Sequence, residues 1–165
     1  MQAAHRLAHV MHLISGVLLV IMVLAVLVDV ATRTIFGISG GTIDLTFRGG
    51  VEIVSYSLLF MVLFTLPYSV SRGQVIVDLF TDGLPERTKE MLAGFYLLGF
   101  GLLGFGMATR FYEAIDQAIN SGETSQDLLI PLYYLYAVVA FATFILGLRG
   151  VLVAFEQILS SGKRS

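Results

Sequence analysis

The sequence has 165 residues, 56% of them hydrophobic and only 13% charged, with a mean hydropathy of +0.85. So apolar a chain has too little polar surface to coat a soluble domain of this size, and it is equally unlike a disordered chain. The net charge of −2 leaves no basic field for nucleic acid, and the absence of cysteine excludes disulfides, thiolate metal sites and a cysteine nucleophile.

Four long stretches contain no Asp, Glu, Lys or Arg: Leu7 to Val28, Ile53 to Ser71, Met91 to Thr109 and Leu128 to Leu148. A helix rises about 1.5 Å per residue, so roughly 20 apolar residues cross a hydrocarbon core about 30 Å thick. The reading is an all-α integral membrane protein, a single domain over 1–165. Its transmembrane helices fall at about 10–31, 51–71, 88–111 and 128–154, with a short amphipathic interfacial helix between the second and third.

The first stretch follows Arg6 and could be taken for a signal peptide. Its apolar run is too long, and Asp29-Val30-Ala31-Thr32-Arg33 follows it in place of a small-residue cleavage site. A retained anchor is expected. His5, His9 and His12 share a helix face at i, i+4 and i+7, the only metal-like spacing present, and are read as histidines at the membrane boundary. At the other end of the span, Asp29 and Arg33 stand four apart and form a helical ion pair. Glu52, opening the second span, could join them as a structural clamp, the alternative being an outer gate or a sodium-binding role. Phe36 to Val51, with its ISGGT and RGG runs, is a turn-rich connection.

Between the second and third spans, Val75, Ile76, Leu79, Phe80 and Leu84 make one apolar stripe over residues 73–84, suited to a helix in the membrane interface or against a partner, the alternative being a plain loop with a few buried anchors. Gly83 and Pro85 punctuate its end and the start of the next helix. The third span carries Gly94, Gly101, Gly104 and Ala108 on one face. Such small-residue faces let helix backbones approach in lipid, within the chain or against another protein. Tyr112 to Asp127 reads as a solvated acidic loop, and Pro131 as a first-turn residue of the fourth span.

Of the ten Lys and Arg residues, seven fall on the side of the termini and three on the other. Basic loops stay cytoplasmic, which places both termini inside. A chain that transports unaided needs an ionisable group deep in the bilayer. Glu52 is about 14 Å from the midplane at 1.5 Å per residue, and no other candidate lies deeper. No phosphate loop, nucleophile elbow or zinc-protease motif is present, so neither an enzyme nor a metal or cofactor site is expected of this chain.

Three stretches carry a resemblance. Ser71-Arg72-Gly73-Gln74-Val75-Ile76-Val77-Asp78-Leu79 closely resembles the R-x-G-x-(hydrophobic)-x-V-D segment after the second helix of the TRAP transporter small membrane subunits, the DctQ-type family. Gly122-Glu123-Thr124-Ser125, followed by Leu128-Leu129-Ile130-Pro131-Leu132-Tyr133, is similar to that family's approach to its last helix. Arg33 with Phe36-Gly37, and Glu52, resemble its remaining landmarks.

The resemblance implies an accessory subunit of tripartite ATP-independent periplasmic transport in the bacterial inner membrane. Its partners would be a large DctM-type membrane subunit, a periplasmic DctP-type solute-binding protein and membrane lipid. The assembled complex would import an organic acid on the sodium gradient. Arg72, Gly73 and Asp78 would then serve the inner connection, and Asp29, Arg33, Glu52, Gly101, Gly104, Ser125 and Pro131 the structure or its interfaces. Two rival readings are a self-sufficient oligomeric transporter or exporter, which would need a functional carboxylate such as Glu52, and a membrane assembly protein without transport partners.

Overall fold

The computed structural model describes residues 2–45, 49–70 and 85–163. The expected interfacial helix at 73–84, with Arg72, Gly73 and Asp78, lies outside the described residues. Four helices account for nearly all of what is described: α1 Gln2–Ile38, α2 Gly50–Ser69, α3 Glu86–Ser121 and α4 Leu132–Lys163. All four are long and apolar enough to cross a membrane. Three of them, with 37, 36 and 32 residues, also run well past the length that a crossing needs.

Local chemistry sets the helix ends. Pro85, at φ −59° and ψ 141°, precedes α3, and its carbonyl accepts the N–H groups of Thr88 and Lys89. A proline there costs no helical hydrogen bond. Gly122 closes α3 in the left-handed conformation, φ 67°, its N–H donating to the Ala118 carbonyl. After α1, Gly40 and Gly41 both take positive φ, and the Gly41 N–H returns to the Phe36 carbonyl, so this connection is the turn that ISGGT suggested.

Helix α3 departs from the sequence reading, because it continues through the supposed acidic loop to Ser121. Glu113, Asp116, Gln117 and Asn120 are exposed, while Ala114, Ile115 and Ala118 turn inward. The acidic residues line one side of a helix, where water or a partner can meet them without breaking it. The loop proper spans 122–131. Pro131 lies just before α4, in an antiparallel bridge with Thr124, rather than in the first turn.

The helices pack in the order α1, α2, α4, α3. Helix α4 is the most buried, and α1 presents apolar side chains over most of its surface. Met11, Leu63, Val139, Ala142 and Ile145 form the shared core, flanked by Phe60, Phe64, Leu66 and Phe111.

The α3–α4 pair is the most extensive contact and is antiparallel. A Cβ on Gly104 would stand 2.7 Å from the Gly147 nitrogen, and one on Gly150 2.7 Å from the Gly101 Cα. Two backbones therefore touch with no side chain between them. The small-residue face of the third span is an internal contact, completed by Thr143, Gly147, Gly150 and Ala154 on α4.

Candidate functional site

The residues singled out from the sequence gather mainly at the end of the bundle where α1 passes to α2 and α3 to α4. Glu52 sits in the first turn of α2. Its Oε1 accepts the Asp127 N–H at 2.9 Å and its Oε2 the Leu128 N–H at 3.0 Å. Hydrogen bonds to an ionised carboxylate are about twice as strong as neutral ones. The pair ties the start of α2 to the tip of the α3–α4 loop.

That loop is built to offer its amides. The Ser125 N–H donates to the Ile130 carbonyl at 2.8 Å, and the Ile130 N–H returns to Ser125 Oγ at 3.1 Å. Leu132 N–H to the Glu123 carbonyl, at 3.0 Å, closes the neck below. Ser125 is buried, and Leu129 takes a positive φ of 53° to turn the tip. Chain reversal within so few residues leaves the N–H groups at 127 and 128 without partners inside the loop, and the Glu52 carboxylate supplies them.

Asp29 and Arg33 form the expected ion pair, Oδ2 to Nε 2.9 Å. A Cβ on Gly50 would lie 3.4 Å from Asp29 Oδ1, so α1 and α2 meet there. Glu52 shares this end of the bundle, but its carboxylate is held by the 127–128 amides. Two neighbouring contacts thus stand where a single three-residue clamp was expected. Gly101 and Gly104 lie in the α3–α4 seam, away from this end.

The opposite end holds polar contacts that the sequence reading did not find. Arg149, one of the seven basic residues on the side of the termini, is only 7% exposed, and its Nε donates to the Pro67 carbonyl at 3.3 Å. Tyr68 faces His5, His9 and His12 with ring centroids 6.1, 5.8 and 4.6 Å away, so the histidine face of α1 packs on one α2 ring. Deeper in, Thr65 Oγ1 donates to Ser15 Oγ at 2.8 Å, and Ser15 donates to the His12 carbonyl at 2.6 Å. The 4, 3, 4 spacing of Thr143, Gly147, Gly150 and Ala154 was visible in the sequence as a second small-residue face. The Glu52 and Arg149 contacts had no local signal. Among the described residues, no three His, Asp or Glu side chains are placed to hold a metal ion.

Four long apolar helices, joined by contacts that spend polar groups on one another, define a multi-pass α-helical membrane protein. The family model "Tripartite ATP-independent periplasmic transporters, DctQ component" matches residues 22–160, which is most of the chain. The chain belongs to this DctQ family of TRAP transporter small membrane subunits. No curated protein and no solved structure matches it.

Proposed function

We propose that this chain is the non-catalytic small subunit of a sodium-coupled importer of organic acids, working beside a DctM-type large subunit and a DctP-type solute-binding protein in the bacterial inner membrane. Both termini face the cytoplasm in this reading, following the bias of basic residues. Translocation belongs to the large subunit, and the small one supports its scaffold. The family match over residues 22–160 carries the proposal. The geometry supports it, since Glu52, the carboxylate named for a self-sufficient transporter, is committed to the backbone of the 122–131 loop.

Reconstitution tests it. The chain alone in proteoliposomes should take up nothing. Together with its large subunit, the binding protein and an inward sodium gradient, it should sustain uptake of a carboxylated solute. Sodium-driven uptake by the lone chain would overturn the proposal.

A further inference from the structure

Cross-helix contacts set a common level along the bundle. Asp29 beside Gly50, and Glu52 on the 127–128 amides, mark one end. Arg149 on the Pro67 carbonyl marks the other. Along α2 this layer runs from Glu52 to Pro67, about 22 Å at 1.5 Å per residue, and Phe60 stands at its middle. Phe111 of α3 packs on the core that Phe60 also flanks, and its ring lies 6.1 Å from that of Tyr136. Arg110, the preceding residue, therefore stands well inside the layer, deeper than Glu52, which corrects the expectation that no ionisable group would do so.

Its side chain is 83% exposed, and that of its ion-pair partner Glu113, 3.1 Å away, is 60% exposed. Thr109, Asp116, Gln117 and Asn120 are exposed as well and continue one polar stripe. The stripe runs along the side of α3 opposite Gly101, Gly104, Ala108 and Ala118, which are buried. On α1, the exposed residues inside the same layer are apolar: Val17, Val20, Leu24 and Leu27. Hydrocarbon tails satisfy the α1 face but offer nothing to an ion pair, and charged groups in this position are covered by protein or water.

We infer that the Arg110–Glu113 face of α3 seats a transmembrane helix of the large membrane subunit, one that carries a basic side chain opposite Glu113 and Asp116. Two carboxylates against one guanidinium leave this face net negative, which sets the complementary charge. A Cβ on Gly106, one turn from Arg110, would meet nothing within 4 Å, so a neighbouring helix can come close there. The inference rests on the small-subunit reading above and adds to it the face and the chemistry of contact.

The cysteine-free sequence allows a direct test. Single cysteines replace Thr109 or Gln117 on α3, and Val20 or Leu24 on α1, in the complex co-purified with the large subunit. Each carries a maleimide-linked benzophenone. Photolysis should cross-link the α3 positions to the large subunit and the α1 positions to lipid. If the large subunit co-purifies but the α3 positions react only with lipid, or only with a second copy of this chain, the inference falls and the small-subunit reading stands. If no large subunit co-purifies with the unsubstituted chain, both fall.

Discussion

Glu52 and Leu128 are 76 residues apart in sequence, yet the carboxylate of one accepts the backbone N–H of the other at 3.0 Å. Together with the Asp127 N–H, this contact fastens the start of α2 to the loop that reverses the chain between α3 and α4. The bond is to backbone, so it depends on the Glu52 carboxylate and not on the side chains at 127 and 128.

Replacing Glu52 should therefore loosen one loop rather than abolish a transport step. Glu52→Ala should lower the melting temperature in detergent, and Glu52→Gln, which keeps one acceptor oxygen but not the charge, should lower it less. Hydrogen exchange should speed up at the amides of 127 and 128. Unchanged exchange there in Glu52→Ala would contradict the assignment.

Ser125 supports the same loop from within. Its hydroxyl accepts the Ile130 N–H, and the residue is buried, so Ser125→Ala strands a donor at a cost of about 1–3 kcal/mol. Faster proteolysis between residues 122 and 131 is the expected readout, with Ser125→Thr milder than alanine.

The α3–α4 seam gives a paired comparison on one helix. Gly104→Ala puts a methyl group 2.7 Å from the Gly147 backbone nitrogen, where two backbones must part, at a cost of about 1–3 kcal/mol. Gly106→Ala, two residues on, meets open space and should stabilise by about 0.5–1 kcal/mol through reduced backbone freedom. Thermal unfolding of the two variants should shift in opposite directions.

Between α1 and α2, the Thr65 hydroxyl donates to that of Ser15. A double-mutant cycle with Ser15→Ala and Thr65→Val should give a coupling near the average of about 0.6 kcal/mol for interhelical hydrogen bonds in membranes. A coupling of zero would mean that the two hydroxyls do not meet in the folded protein.

Much of the architecture was legible in the sequence because its causes are local. The Asp29–Arg33 pair follows from a four-residue spacing, the turn after α1 from two adjacent glycines, and the close approach of α3 from Gly101 and Gly104. The acidic stretch after Tyr112 misled for an equally local reason. Charge density suggested a loop, whereas Ala114, Ile115 and Ala118 kept an inward face that lets α3 run on to Ser121.

By itself the sequence determined how many times the chain can cross a bilayer and where, because hydropathy and helical rise act over 20 neighbouring residues. Only the tertiary structure decided that Glu52 serves the 127–128 amides, that Arg149 lies buried against Pro67, and that the glycine face of α3 closes on Gly147 and Gly150. Each of those pairs joins groups more than 40 residues apart. Their meeting depends on helix order and axial register, which the packing of whole helices fixes and no local pattern encodes.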